Sequence, residues 1–245
     1  MGRAFEYRKA AKFARWDRMA KQFTKAGKQI TMAVKRGGDD PDANLELRRA
    51  IQNAKSVQMP KDRIEAAIEK GLGKDADELN EVVYEGMAPH GVAVVVETAT
   101  DNPTRTVANV RSIFNKNGGS LGTQGMHDFN FDRKGVFYVE VGKIPDREVF
   151  ELEMIDHGLE RIDHRDTDEE GNAVDQYMVY VDFTDFGKMQ EALEDRSIEL
   201  VKSELERIPK FTQNDLSEDQ VDEVLELIDA LEQDEDVQSV FHSLD

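Results

Sequence analysis

The sequence has 245 residues, no cysteine, five histidines and a net charge of −19. The lack of cysteine excludes disulfides and thiolate metal sites, and it is compatible with a reducing compartment. No run reaches the ~18 consecutive apolar residues of a membrane span, and the N-terminus lacks the apolar core of a signal peptide. We therefore expect a cytoplasmic protein of one to three domains.

The two signs of charge are concentrated in different parts of the chain. Residues 1–36 contain eleven Lys or Arg residues and two acidic residues, whereas residues 37–74 carry both signs in equal number. Residues 75–245 therefore carry a net charge of −28. A basic arm on an acidic body indicates a local, salt-sensitive contact with nucleic acid or with the ribosome.

The N-terminal part of the chain has helical periodicity. Apolar residues at alternating spacings of three and four form one stripe over 13–34, with most of the cations on the other side. The pattern predicts one or two helices up to Gly37–Gly38, a second helix capped by Asp40 and a third beginning near Pro60. Residues 1–78 are thus predicted to form a basic helical domain.

From residue 82 onward the pattern becomes β-rich, with a different order of elements. We predict an α+β protein of three domains, in which 134–207 is a ferredoxin-like β-α-β-β-α-β domain. It is inserted into a discontinuous α+β domain made of 79–133 and 208–245. Strands are predicted around HDFNF and GVFYVEV, with a turn at DRKG, residues 132–135.

One helix of the middle region is well specified by its ends. Asn102 is suited to the N-cap, Pro103 to the first helical position and Gly118 to a left-handed C-terminal turn. Its apolar face contains Val107, Val110, Ile113 and Phe114, and its polar face contains Arg105, Asn109, Ser112 and Lys116. We expect Arg105 and Lys116 to face a cleft between domains or a phosphate backbone; the alternative is an ordinary solvated face.

The candidate nucleic-acid-binding residues are the cations of the arm and of this helix. They are Arg3, Arg8, Lys9, Lys12, Arg15, Arg18, Lys21, Lys25, Lys28, Arg105 and Lys116. The aromatic residues Phe13, Trp16 and Phe23 could stack on single-stranded bases, but their helical spacing favours a packing stripe.

Three segments that resemble catalytic or metal-binding motifs fail on closer reading. His157 and His164 lack a standard metal-ligand spacing, and the acidic segment 166–177 has Tyr177 where a calcium loop needs Glu. The glycine-rich NKNGGSLG lacks the GK[ST] ending of a phosphate loop and follows a helix instead of opening one. We predict no enzyme activity, no catalytic residues, no cofactor and no metal site.

Several long motifs resemble those of one known family. They are DP-x-x-N-x-x-LR from Asp40, MPKD-x-I from Met59, YEG from Tyr84, TDN-x-x-RT from Thr100 and KNGG-x-LG from Lys116. Together they resemble the YebC/PmpR family, which includes bacterial proteins called transcriptional regulators and a mitochondrial translational activator of cytochrome c oxidase. The resemblance implies three domains, the third inserted in the second, and a non-enzymatic role in gene expression.

The chain departs from the family pattern at two places. It begins MGRAFEYRKAAKFARW where many members have a GHSKW-type motif, and His90 stands at a position that is typically Gly. The resemblance favours a DNA-binding transcriptional regulator. The alternative is a ribosome-associated translation factor that binds RNA through the basic N-terminal domain. The expected partner is accordingly promoter DNA or ribosomal RNA, with no small-molecule substrate and no membrane.

Overall fold

The structure is a computed structural model that describes residues 3–73, 79–168 and 171–245, with side chains described from residue 19 onward. The helices of these residues are α1 (Arg3–Gly37), α2 (Leu45–Ser56), α3 (Lys61–Leu72), α4 (Pro103–Lys116), α5 (Arg147–Ile155), α6 (Phe186–Asp195) and α7 (Glu218–Glu232). The strands are β1 (Asn80–Met87), β2 (Ala93–Thr100), β3 (Ser120–Leu121), β4 (Phe131–Glu140), β5 (Leu159–Thr167), β6 (Ala173–Asp182), β7 (Leu200–Pro209) and β8 (Val237–His242).

The N-terminal unit is built from α1, α2 and α3. Ile30 and Val34 of α1 pack against Leu47 of α2 and Ile64 of α3, all of them buried. The apolar stripe predicted for α1 therefore forms a core over its second half, and α1 is one helix, not two.

The start of α2 differs from the prediction that Asp40 caps this helix. Asn44 is the N-cap: its Oδ1 accepts from Leu47 N at 3.1 Å, and its Nδ2 donates to Ala33 O and Gly38 O, both at 2.8 Å. A buried Asn44 that joins α1 to α2 satisfies more backbone groups than an exposed Asp40 would, so the helix begins later.

A middle unit contains the sheet β3-β1-β2-β8, in which every pairing is antiparallel. Helices α4 and α7 cover one face of this sheet, where Val94, Val110, Phe114 and Leu227 form a buried cluster. Since β8 follows α7 near the C-terminus, this unit is assembled from two separated stretches of chain.

Between those stretches lies a second antiparallel sheet with the order β5-β6-β4-β7. With α5 and α6 on one face, this is the ferredoxin-like arrangement that the sequence predicts. Its core includes Phe137, Met154 and Leu193, and the Phe137 and Phe186 rings stack with centroids 4.6 Å apart. Strands β4 and β7 extend slightly beyond the predicted limits of 134 and 207.

The predicted turn at DRKG is wrong, because β4 runs unbroken through it. Gly135 pairs with Val181 and Leu205 in the ladders, and a Cβ at this position would lie 2.7 Å from the Phe186 ring. The glycine therefore permits a close side-chain contact and does not form a turn. The turn lies earlier, where Asn130 N donates to His127 O at 2.9 Å, in the segment predicted as a strand.

Candidate nucleic-acid interface

Six of the predicted contact residues belong to the N-terminal half of α1. They are Arg3, Arg8, Lys9, Lys12, Arg15 and Arg18, and their side chains lie outside the described residues. The helix that carries them continues without interruption to Gly37, and its described core contacts begin at Phe23.

The next three cations of α1 interact with the end of α7 and the turn that leads to β8. Lys21 Nζ donates to Gln233 Oε1, and Lys28 Nζ donates to Asp236 Oδ1 at 3.0 Å and Glu235 O at 2.8 Å. Burial lowers the pKa of Lys25, against the attraction of Glu232. We call this contact between residues 21–28 and residues 232–236 the α1 joint. Its cations hold the second half of α1 against the acidic body.

Asp236 is the centre of the α1 joint, and its side chain is only 8% exposed. It accepts from Lys28 at 3.0 Å, Arg105 at 2.9 Å, Thr106 at 2.8 Å and Thr100 at 3.2 Å. Burial alone would raise the pKa of Asp236, but the hydrogen bonds from Arg105, Lys28 and Thr106 outweigh it and lower the pKa to about 2. The carboxylate is therefore ionised at every physiological pH.

Helix α4 supplies Arg105 to this network, and its ends are formed as the sequence predicts. Asn102 Oδ1 accepts from Arg105 N at 3.1 Å, Pro103 is the first helical residue, and Gly118 has a φ of 73°. This N-cap fixes the first turn, from which the Arg105 side chain reaches both Asp101 at 2.8 Å and Asp236.

The predicted polar stripe of α4 divides into two parts. Arg105 and Asn109 lie towards the α7–β8 turn, since Asn109 Nδ2 donates to Asp234 at 3.3 Å. Lys116 lies at the other end of the helix, beside Arg111 and Asn115 at the edge of a shallow depression. Arg105 is therefore paired within the middle unit, at the carboxylate that also binds Lys28 of α1, whereas Lys116 is exposed at the other end of the helix.

A second contact, between α2 and the inserted domain, has no signal in the sequence. Asn53 Oδ1 accepts from Ser203 N at 3.0 Å and its Nδ2 donates to Ser203 O at 2.8 Å, while Gln52 Nε2 donates to Leu200 O at 2.9 Å. Because β7 is an edge strand, these amides replace the partner strand that it lacks. We call this set of contacts the α2 joint.

The three units enclose a cleft of about 710 Å³ whose walls carry charges of both signs. Arg36 pairs with Glu46 at 2.6 Å and Glu81 at 2.8 Å, and Arg207 pairs with Glu97 at 2.8 Å. Burial lowers the pKa of Arg49, whose guanidinium lies 5.2 Å above the Phe186 ring centroid. Arg36 and Arg49 come from the helical unit and Arg207 from the inserted domain, so no local sequence pattern could have indicated them together.

The structure shows the backbone conformation and the side-chain partner of His90, which the sequence left unexplained. Its φ is 61°, in the left-handed region that glycine adopts most freely, and its Nε2 lies 2.7 Å from Glu223 Oε2 of α7. The non-glycine residue at this turn thus forms a hydrogen bond with Glu223 of α7.

The described residues contain no group of three or more His, Asp or Glu side chains arranged to hold a metal ion. Within the same residues, no helix combines the length and apolar character needed to cross a membrane.

Two models of known protein families together match almost the whole chain. A family model described as the TACO1/YebC protein N-terminal domain matches residues 3–74, and another, described as the TACO1/YebC second and third domain, matches residues 79–244. The chain belongs to the TACO1/YebC family. The resemblance inferred from the motifs is therefore confirmed, as is the α+β fold class.

TACO1/YebC relatives of similar length are numerous. A protein of Anaeromyxobacter dehalogenans named "Probable transcriptional regulatory protein" is 53% identical, with both chains covered completely. One of the same name from Flavobacterium johnsoniae is 48% identical over 100% of this chain and 99% of its own. The crystal structure of a conserved hypothetical protein, Aq1575, from Aquifex aeolicus is similar with a TM-score of 0.77 and 33% identity, covering 92% of this chain and 90% of that one.

Proposed function

We propose that this TACO1/YebC protein is a non-enzymatic regulator of gene expression that binds nucleic acid through the N-terminal half of α1. The observation that carries the proposal is the density of positive charge on a helix that is anchored to the acidic body. Lys21 and Lys28 bond residues of the α7–β8 turn, and Lys25 is attracted by Glu232. Six more cations lie on the same helix within 3–18, with only Glu6 and Asp17 among them.

The charge of the body restricts how a polyanion can approach. Residues 75–245 carry a net charge of −28 and repel phosphate, so favourable contacts are confined to the cationic end of the molecule. Each phosphate neutralised by Lys or Arg releases counterions, which makes the binding steeply salt-dependent. The α1 joint fixes the second half of the helix and thereby the direction in which its first half extends.

The two remaining predicted contacts receive different roles. We assign Arg105 to positioning, because Asp101 and Asp236 already share its guanidinium. Lys116 and the neighbouring Arg111 have exposed side chains, which suits a secondary phosphate contact on α4.

Transcriptional regulation through promoter DNA is the first candidate, and the names of the relatives support it. Translational activation on ribosomal RNA is the second. One observation favours it: two exposed phenylalanines, Phe129 and Phe211, that are suited to unpaired bases and not to a base-paired duplex.

Binding to promoter DNA and to ribosomes across a salt series tests the proposal. The variant replaces Arg8, Lys9, Lys12, Arg15 and Arg18 by Gln. A matched control replaces five exposed lysines elsewhere, Lys55, Lys61, Lys70, Lys143 and Lys188, and changes the net charge equally. We expect the variant to lose affinity and to reduce the salt slope by ~0.7–0.9 for each phosphate contact removed. Equal losses in the control would refute the role of the arm.

The nature of the ligand that is lost decides between the two candidates. Salt-sensitive co-sedimentation with ribosomes that the variant abolishes would support translation, and specific retention of promoter DNA without ribosome binding would support transcription. A wild-type protein that binds neither ligand at low salt would refute nucleic-acid binding altogether.

A further inference from the structure

The two most exposed large apolar side chains of the described residues are both phenylalanines. Phe129 is 87% exposed and Phe211 is 80% exposed. They lie on the two crossings between the middle unit and the inserted domain. Lys210 N donates to Asn130 O at 2.8 Å between these segments, directly beyond the Phe131–Pro209 pair of the β4–β7 ladder. Each ring is thus one residue away from this hydrogen bond.

The loop that presents Phe129 is held by a buried carboxylate. Glu85 of β1 is 5% exposed, and its two oxygens accept from Gly125 N at 2.9 Å and from His127 N at 2.7 Å. A buried carboxylate on two backbone amides is a strong, charge-assisted arrangement. It fixes the loop two residues before the exposed ring.

His127 and Asn130 hold the loop from its other side. His127 is buried; its Nε2 donates to Gly86 O at 2.8 Å, and its Nδ1 accepts from Asn130 Nδ2 at 3.0 Å. Asn130 in turn accepts from Lys210 N, which ties the Phe129 segment to the Phe211 segment. An exposed aromatic ring on a loop fixed in this way is preorganised for a ligand, because little further ordering is needed on binding.

The surroundings of the rings favour nucleobases over a protein surface. A protein-docking patch is usually a contiguous apolar area of several hundred Å². Here one further apolar side chain is exposed, Met126 at 39%. The other exposed neighbours within the two segments are mostly polar: Thr123, Gln124, Asp128, Asn130, Lys210, Thr212, Asn214 and Asp215. Lys210 pairs with Asp132 at 3.0 Å, which places one cation among the exposed acidic residues of these segments. Separate aromatic rings among amide and hydroxyl groups are typical of sites that stack and hydrogen-bond unpaired bases.

We propose that Phe129 and Phe211 form a stacking site for unpaired bases of a single-stranded or looped nucleic acid. The inference rests on the proposed function and names its ligand more closely: the arm contacts phosphates, and the phenylalanine pair selects strands whose bases are accessible. A base-paired duplex keeps its bases stacked within itself and offers none to these rings.

The test measures binding of the full-length protein to a labelled 12-nucleotide single-stranded RNA, the same sequence as single-stranded DNA, and the duplex DNA. A 2-aminopurine in the single strands reports stacking by its fluorescence. We expect Phe129→Ala and Phe211→Ala each to weaken single-strand binding roughly 5- to 100-fold and to leave duplex binding unchanged. Phe129→Tyr should retain binding, since it keeps the aromatic face.

Two controls separate stacking from a general apolar effect. Leu152→Ala removes a 70% exposed apolar side chain from α5 and should change nothing. Phe129→Leu should weaken binding as Phe129→Ala does; if the leucine variant binds like wild type, the site is an apolar docking surface and the proposal is wrong.

The proposal and the function on which it rests fail differently. Single-strand affinity that is unchanged in both alanine variants, yet lost when the cations of α1 are neutralised, would overturn the stacking site and leave the function intact. Wild-type protein without affinity for any of the three oligonucleotides or for ribosomes would overturn both.

Discussion

The α1 joint and the α2 joint connect the same helical unit to the rest of the molecule by different chemistry. In the α1 joint, Lys28 and Arg105 converge on the buried carboxylate of Asp236. In the α2 joint, the neutral amides of Asn53 and Gln52 bond the backbone of the edge strand β7. The first contact orients the basic arm relative to the acidic body, and the second positions the inserted domain.

The difference lies in what each contact costs when it is broken. A buried charge that loses its partners is left desolvated and uncompensated, which costs more free energy than leaving neutral backbone groups of a strand edge without a partner. The α1 joint should therefore be the more costly to disrupt and the only one of the two that depends on pH.

The largest effect is expected from removing the shared carboxylate. Asp236→Ala leaves Lys28, Arg105 and the buried Thr106 without their common acceptor, and we expect the free energy of unfolding to fall by about 3 kcal/mol in denaturant titrations. Asp229→Ala, which removes an exposed carboxylate from α7, is the matched control. Equal losses in both variants would mean that the α1 joint adds no stability.

Acid should weaken the same joint selectively. Because the folded-state pKa of Asp236 is lowered to about 2, its stabilisation is complete above the unfolded pKa of ~3.9 and is lost as the pH falls towards 2. The difference in unfolding free energy between wild type and Asp236→Asn should therefore shrink between pH 5 and pH 2. A constant difference over that range would contradict an ionised acceptor.

A smaller loss is expected at the α2 joint. Asn53→Ala removes both hydrogen bonds to Ser203, and we expect the free energy of unfolding to fall by about 1–2 kcal/mol, independently of pH between 3 and 7. Lys55→Ala on the same helix serves as the control, since this exposed side chain lies outside the joint. An acid-sensitive loss at Asn53 would remove the contrast between the joints.

The smallest effect concerns a surface contact of α7, the His90–Glu223 pair. His90→Ala loses the hydrogen bond to Glu223 and keeps an unfavourable positive φ, whereas His90→Gly loses the same hydrogen bond and relieves the backbone. The alanine variant should be about 1 kcal/mol less stable than the glycine variant in denaturant unfolding. Equal stabilities would show that the left-handed conformation at this turn is not costly.

Local patterns predicted much of the architecture. Apolar residues spaced three and four apart predicted the helical unit, and the order of elements predicted the ferredoxin-like arrangement. Asn102, Pro103 and Gly118 marked the ends of α4 correctly. These features succeed because capping and periodicity act between residues a few positions apart. The turn predicted at DRKG failed because Gly135 is required by a contact with Phe186, 51 positions later in the chain.

The candidate site was less predictable than the fold. The sequence identified the cations of α1 but could not show that Lys28 bonds Asp236, because its partner lies 208 positions away in the chain. It also could not single out Asp236 or Glu85 among 51 acidic residues. Phe129 and Phe211 are 82 positions apart and had no shared signal.

The sequence by itself determined the family, the class of fold and the charge asymmetry on which the proposed nucleic-acid contact rests, because each is carried by composition or by short motifs. Only the tertiary structure decided which charges are neutralised and which rings stay exposed. Lys28 binds Asp236, which lies 208 positions later in the chain, and the burial of this pair then determines how much it contributes to stability. Pairings over that distance depend on how the domains pack, which no local pattern records.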